Sequence, residues 1–386
     1  MQRSALVFVM LLAVAAAGPF VGGVGAATAV DGSTAAEPIP HDHHSQTATC
    51  EFPHETTDAT GAAVNLTSDP DRIVTLNPSA AQTMWEIGAE EEVVGVSQYA
   101  SYLDGADEKA NVSGASGPDV ERVLDAEPDL VLVPNSSYGA SAERVEQIRA
   151  QGVPVYVFGQ PTSLEFVADK TERIGRLTGN CEAGTERADQ IRQSVDNMER
   201  ALEGTEKPVG LNVFYGYTSG SNTFIGDLMR TGGIENGAAD AGISGFAMIN
   251  DEDVVEIQPE WILVPTGSSV PETAAYESTP AVQEDNIIRV ETNLLQQPAP
   301  RSVRAAEQIL EQVHPDAYEE YQSMQEAESS ATADESASTT DAEATSTSDA
   351  ESSPEESPAT STESPGFGAV ATLAGLAAVA LLATRR

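Results

Sequence analysis

The chain has 386 residues, of which 61 are Asp or Glu and 19 are Lys or Arg, a formal net charge of -42 at pH 7. That balance excludes nucleic acid as a partner, because a phosphate backbone is bound by basic surface. The length suffices for two modest lobes with separate cores, and two cysteines without a Cys-x-x-Cys pair point to one disulfide rather than a metal or redox site.

Residues 1–29 open with Arg3, an apolar run from Ala5 to Ala17 and a small-residue stretch ending in Ala27-Thr28-Ala29. This is the arrangement of a secretory signal peptide, with an uncleaved anchor as the alternative. A polar linker, 30–49, carries His41-Asp42-His43-His44. Export implies an oxidising setting, so Cys50 and Cys181 are expected to bond and to tie the start of the folded part to the middle of the chain. Asn65, Asn111 and Asn135 head N-glycosylation triplets, which suit an exported protein.

From residue 50 onward, short apolar runs alternate with helical patterns. Arg72-Ile73-Val74-Thr75-Leu76 predicts a strand, and Ser79 to Ile87 a helix with Ala80, Met84 and Ile87 on one face. Strands at 93–96, 129–133 and 153–157 follow, separated by helices near 120–125 and 142–151. Strands this apolar are expected of parallel sheet covered on both faces, so the class is α/β. The stretches 164–178 and 183–202 are then consecutive helices without a strand between them. In the second, Ala188, Ile191, Val195, Met198 and Leu202 keep the three-and-four spacing of one buried stripe. After Gly204 and Pro208 the alternation resumes. The expected plan is an N-terminal lobe at 50–160, a helical connection at 161–204 whose long inter-lobe helix is 183–202, and a C-terminal lobe at 205–321.

Apart from Gln322, Met324 and Gln325, residues 322–364 are Ser, Thr, Ala, Asp, Glu and Pro, without Lys, Arg or an aromatic side chain. Such a stretch cannot bury enough apolar surface to fold and is expected to stay a disordered stalk. In 365–386, Pro365-Gly366-Phe367, an apolar segment from Gly368 to Thr384 and the terminal Arg385-Arg386 resemble the archaeal C-terminal sorting signal processed by an archaeosortase. That resemblance implies removal of the segment and attachment of a lipid; an ordinary membrane anchor is the alternative. Both keep the protein at the outer face of the membrane. Acidic residues throughout with scarce lysine (Lys109, Lys170, Lys207) resemble the surfaces of extreme halophiles, where salt screens the repulsion.

The chain also repeats internally. Val120-Glu121-Arg122-Val123-Leu124 with Glu127-Pro128-Asp129-Leu130-Val131-Leu132-Val133-Pro134 recurs, without a gap, in residues 251–265. There Glu252 stands for Glu121, and Pro259-Glu260-Trp261-Ile262-Leu263-Val264-Pro265 for the strand segment. Two related lobes follow.

Arg72-Ile73-Val74-Thr75-Leu76-Asn77-Pro78, Gly95-Val96-Ser97 and Glu127-Pro128-Asp129-Leu130-Val131 resemble the cobalamin and iron-siderophore binding proteins of ABC importers, over roughly residues 64–321. The resemblance implies two α/β lobes joined by one rigid helix, a ligand cleft between them and modest hinge closure. It implies that Glu121 and Glu252, one on each lobe, dock on arginines of a permease whose ATPase drives import. It further implies that Tyr99, Tyr217 and Phe246 face the cleft as aromatic ligand contacts. An arginine expected in the 293–301 loop is replaced by Gln297, leaving Arg301 nearby as the ligand-binding candidate. Ala115 stands where corrinoid binders carry a tryptophan. The ligand is expected to be a corrinoid, with a ferric siderophore as the alternative. No cofactor is expected, and the protein is expected to be a monomer.

Other classes fit less well. His41, His43 and His44 precede the lobes, His54 stands at the very start of the first and His314 near the end of the second, so a buried His-rich metal site cannot be assembled. No Gly-x-Ser-x-Gly, His-Glu-x-x-His or P-loop signature occurs, and the lobes are poor in histidine, the commonest general base. A stalked surface structural protein would not need two related lobes with aromatic loops.

Overall fold

A computed structural model describes residues 50–343, with side chains through residue 330. The expected signal peptide (1–29), linker (30–49) and sorting segment (365–386) lie outside the described residues, as does the stalk beyond residue 343.

The N-terminal lobe opens with an antiparallel pair, β1 (His54–Thr57) and β2 (Ala63–Leu66). Next come β3 (Ile73–Thr75), α1 (Pro78–Glu86), β4 (Val93–Val96), β5 (Ala110–Asn111) and a small ribbon, β6 (Ser113–Gly114) with β7 (Gly117–Pro118). The lobe closes with α2 (Val120–Asp125), β8 (Leu130–Val133), α3 (Asn135–Ala150) and β9 (Val155–Val157). Its sheet has the order β5-β4-β3-β8-β9 and is parallel throughout. The two-residue alternation of strand side chains divides the core. Ile73, Leu130, Leu132 and Tyr156 point to one face, where α1 supplies Ala80, Ala81 and Met84. Val74, Val131, Val133 and Val157 point to the other, where Val123, Val145 and Ile148 of α2 and α3 meet them.

One boundary differs from the expected 142–151. Helix α3 starts at Asn135, and Ser141 breaks it with a non-helical φ of -148°. Only the part after that break carries the buried residues Val145 and Ile148, so only that part shows an amphipathic pattern.

The connection is a helical hairpin. Helix α4 (Leu164–Leu177) runs from the core of the C-terminal lobe, where Leu164 and Val167 are buried, to that of the N-terminal lobe, where Ile174 and Leu177 are buried. Helix α5 (Cys181–Ala201) is the expected long helix and folds back along it. The two backbones nearly touch at Gly175 and Gly184, where a Cβ on Gly175 would lie 2.8 Å from the Gly184 Cα. Ala188, Ile191 and Met198 are buried in the C-terminal core, with Val195 packed against it. Cys181, at the start of α5, is bonded to Cys50, as expected.

The C-terminal lobe contains β10 (Val209–Asn212), β11 (Tyr217–Ser219), α6 (Phe224–Thr231), β12 (Glu235–Asn236), α7 (Gly237–Asp240) and β13 (Phe246–Met248). It continues with α8 (Asp251–Ile257), β14 (Trp261–Pro265), α9 (Ala274–Glu277), α10 (Pro280–Gln283), β15 (Ile287–Val290), α11 (Thr292–Leu295) and α12 (Val303–Val313). Its parallel sheet has the order β12-β10-β14-β15, while β11 and β13 form a separate antiparallel ribbon.

The repeat has a structural counterpart. Glu127 and Gln258, in equivalent places, both take left-handed φ values, 48° and 47°. The acid two residues later secures the neighbouring strand in each lobe. The Asp129 carboxylate accepts from the Asp71 and Arg72 amides at 3.2 and 3.1 Å, and Glu260 accepts from the Val209 amide at 3.1 Å.

The last helix, α13 (Pro315–Glu343), crosses the boundary at residue 322 where the stalk was expected to begin. Its first part is held by packing rather than by propensity. Tyr321 is buried, Gln325 Nε2 donates to Ser194 Oγ at 3.2 Å, and Asn197 Nδ2 donates to Glu328 at 2.7 Å. The folded part therefore extends beyond Tyr321 along α5.

Candidate functional site

The lobes meet over one face of α1. Lys170 of α4 donates from Nζ to Ser79 Oγ at 3.2 Å and to the Pro298 carbonyl at 2.7 Å. A helical turn further, Gln82 Oε1 accepts from the Arg301 amide at 2.9 Å. At the end of the helix, Glu86 accepts from Arg301 Nε at 2.6 Å and from Arg187 Nη2 at 3.0 Å. Burial alone would raise the Glu86 carboxyl, but the hydrogen bond from Arg301 and the charge of Arg187 hold it below its ordinary value. Residues 79, 82 and 86 thus fasten the loop 298–301 of the second lobe to the first.

Above this contact lies a cleft of about 620 Å³. Its walls come mainly from segments that follow the carboxyl ends of parallel strands, the usual place for ligands in open α/β sheets. Asn77 and Ser79 follow β3, Pro134 to Ser136 follow β8, and Phe158 to Pro161 follow β9. In the second lobe Phe214 follows β10, and Leu295 to Pro298 lie beyond β15. Helix α4 contributes Phe166 and Lys170, α6 brings Thr223 to Ile225, and the ribbon supplies Ser219 and Phe246. Several of these elements begin at the cleft. The Asn77 side chain caps α1 by accepting from the Ser79 amide at 2.7 Å, and Thr223 Oγ1 caps α6 by accepting from the Gly226 amide at 3.1 Å.

The lining is aromatic and amide-rich. Phe158, Phe166, Phe214, Phe224 and Phe246 meet Asn77, Asn135, Gln160, Gln296 and Gln297. The chain has 61 acidic side chains, yet among the described residues none lines this cleft and Lys170 is its one ionisable side chain. Such a surface accepts a large, flat ligand whose edges carry hydrogen-bonding groups.

The expected site residues are placed as follows. Phe246 lines the cleft and stacks on Tyr217, with ring centroids 5.0 Å apart and planes 10° from parallel. Cross-strand pairing explains this, since Ser219 opposes Phe246 and Tyr217 opposes Met248 in the ribbon. All four therefore share one face. Tyr99 is 68% exposed and lines a second hollow of about 290 Å³, which shares Asn77 and Ser136 with the cleft. Ala115 lines that hollow too. Glu121 and Glu252 are exposed at equivalent positions in the first turns of α2 and α8, behind the capping residues Asp119 and Asn250.

Arg301 requires a correction. Its guanidinium pairs with Glu86, and the residue is absent from the cleft lining. It fastens the lobes together; Gln297, four residues earlier, is the loop residue that reaches the cleft.

Sequence reasoning missed the role of Lys170. A signal was present: the residue falls on the stripe Val167, Thr171, Ile174, all buried, where a lysine is out of place. Phe158, Phe166 and Phe214 carried no such signal, because their exposure depends on the opposite lobe.

Of the histidines, His41, His43 and His44 lie outside the described residues. His54 is in β1, and the buried His314 contacts the Gly233 carbonyl through Nε2 at 2.9 Å. Among the described residues no three His, Cys, Asp or Glu side chains gather as a metal-ligand set.

Two related α/β lobes with an aromatic cleft between them define an extracytoplasmic solute-binding protein. Residues 73–294 match the periplasmic binding protein family, and the chain belongs to it. Residues 364–386 match the PGF-CTERM motif. The protein is exported and anchored at the cell surface. A Halobacterium salinarum protein described as a cobalamin-binding protein is 39% identical over 294 residues, covering 72% of this chain and 78% of the relative. The vitamin B12-binding protein of Yersinia pestis is 26% identical over 249 residues, covering 63% of this chain and 86% of its own. Among solved structures, the periplasmic heme-binding protein of Roseiflexus sp. RS-1 in its apo form superposes with a TM-score of 0.57 at 26% identity, over 64% of this chain and 99% of that one. The vitamin B12 binding protein of Vibrio cholerae gives 0.56 at 22% identity, over 64% and 98%, and shares the fold.

Proposed function

We propose that this protein captures a corrinoid at the cell surface and delivers it to an ABC permease. The observation that carries the reading is the cleft itself, with five phenylalanines, a ring of side-chain amides and no carboxylate. A corrin is broad, flat and fringed with amides, so it matches both halves of that description. The similarity to proteins described as cobalamin-binding supports the same ligand.

Phe246, backed by Tyr217, forms the platform on the C-terminal lobe, and Tyr99 stands at the entrance on the other. Because loop 298–301 is fastened to α1, closure is a small rocking of the lobes about the helical hairpin rather than a wide hinge motion. Glu121 and Glu252 then dock on permease arginines, one per lobe, which fixes the register of the complex. The protein acts as a monomer, and an archaeosortase processes its C-terminal segment.

Neither Trp85 nor Trp261 lines the cleft, so the decisive measurement reads the ligand rather than the protein. Equilibrium dialysis of cyanocobalamin against the protein in molar salt, followed by corrin absorbance, should show one saturable site at submicromolar ligand. Absence of binding would refute the corrinoid reading and make ferric siderophores the next ligands to titrate.

A further inference from the structure

Lys170 is the one group in the cleft that the aromatic and amide lining does not account for. It is 4% exposed, stands between the lobes, and no carboxylate pairs with it among the described residues. The guanidinium groups of Arg149, Arg187, Arg192, Arg230 and Arg301 rest on carboxylates, whereas Arg72, Arg144 and Lys109 rest on carbonyls but are not buried as Lys170 is. An ammonium group has three donors. Ser79 Oγ and the Pro298 carbonyl take two, and the third is left for the cleft that Lys170, Ser79 and Pro298 all line. A buried amine without an acid is costly and is retained where it has a task.

We infer that Lys170 is a specificity-determining residue that takes an anionic oxygen of the ligand, and that for a corrinoid this is the phosphate of the nucleotide side arm. The inference rests on the corrinoid reading above. Charge accounting carries it. The peripheral amides of a corrin are neutral and find neutral partners in Asn77, Asn135, Gln160, Gln296 and Gln297. The phosphate is the single fixed negative charge of the side arm, and among the described residues Lys170 is the single ionisable group of the cleft. An anion delivered there completes the ammonium's hydrogen bonding in a dry setting, where a charge-assisted bond is strongest. Burial pushes Lys170 down to about 7, so near neutral pH the empty site holds a partly neutral amine, which takes up a proton from solvent when a neighbouring anion stabilises the ammonium form. The absence of carboxylates from the lining removes the repulsion that an anion would meet over most of this surface.

The test compares cobinamide with cobinamide phosphate, both as dicyano forms so that the cobalt ligands are identical. Dissociation constants are measured by equilibrium dialysis for the wild-type protein, Lys170→Met and Lys170→Arg at pH 6.5. The wild type should prefer the phosphate form by tenfold or more, Lys170→Met should bind both forms alike, and Lys170→Arg should keep part of the preference. Equal binding of the two forms by the wild type overturns the inference without the need for any variant. So does a preference that survives in Lys170→Met, which would make Lys170 only a strut between the lobes. If neither corrinoid binds the wild type, the corrinoid reading fails and the inference falls with it.

Discussion

Replacing Lys170 with methionine should make the protein more stable at neutral pH while harming its recognition of ligand. Burial holds Lys170 at about 7 against an ordinary 10.5. At about 1.4 kcal/mol per pKa unit, housing this amine costs on the order of 5 kcal/mol relative to the unfolded chain. Because the folded value lies below the unfolded one, the penalty is fully present below pH 7 and fades as pH rises toward 10.5. Methionine keeps the length of the side chain and discards the charge. It also strips the Pro298 carbonyl of a donor at 2.7 Å, a loss of roughly 1–3 kcal/mol for a buried acceptor. The variant should therefore gain about 3 kcal/mol at pH 6–7, or roughly 6–10 °C in melting temperature for a domain of this size. Near pH 10 the sign should reverse, since only the lost hydrogen bond remains. Thermal melts followed by circular dichroism in molar salt at pH 6, 8 and 10 would decide. A variant that melts at or below the wild type at pH 6, with a gap that does not change with pH, would refute the argument. A stabilised variant with degraded ligand selectivity would show a group kept for function at the expense of the fold.

Phe246→Ala should weaken corrinoid binding by roughly 10–100-fold, the loss of one buried aromatic. Its effect on unfolding free energy should stay under about 1 kcal/mol, because Phe246 is 56% exposed without ligand; dialysis and melts on the same sample test both. Glu121→Ala with Glu252→Ala should abolish uptake by cells and leave the dissociation constant within about twofold, and undiminished uptake would exclude the docking role. Glu86→Gln should cost about 2 kcal/mol at pH 7, since Arg187 and Arg301 lose their shared carboxylate. The folded Glu86 carboxyl lies below its ordinary 4.5, so this difference should shrink as pH falls below that value, which urea titrations at pH 7 and 3.5 would reveal. Replacing Cys50 and Cys181 by serine should lower stability by up to about 5 kcal/mol, the chain-entropy value for a loop closed across 131 residues.

Much of the fold was legible because it is written in short-range patterns. Ile73, Leu130 and Leu132 alternate with Val74, Val131 and Val133 so regularly that parallel sheet covered on both faces follows from the sequence. The repeat was legible for a similar local reason: in each lobe a left-handed residue, a proline and an acid must set the next strand against its neighbour, and that geometry tolerates few other residues. The end of the folded part was harder to see. Residues 322–328 of α13 differ little in composition from the polar stretch that follows, and what distinguishes them is the α5 surface holding Gln325 and Glu328.

The site divides along the same line. Tyr217 and Phe246 were expected from the family resemblance, and the pairing of β11 with β13 stacks them. Arg301 was expected at the ligand and Lys170 was given no part; the buried stripe marks Lys170 as out of place, but no local pattern says what either residue meets. Both belong to the contact between the lobes, so their roles depend on which segments meet across it. Arg301 meets Glu86, an acid in the last turn of α1, and is neutralised there. Lys170 meets Ser79 and a carbonyl near the first turn of the same helix, where no acid stands, and among the described residues is left without a counter-charge beside the cleft. Seven residues along one helix thus separate a strut from a binding group. The composition of the chain could not have chosen between them, because it does not say which segments meet when the lobes are brought together.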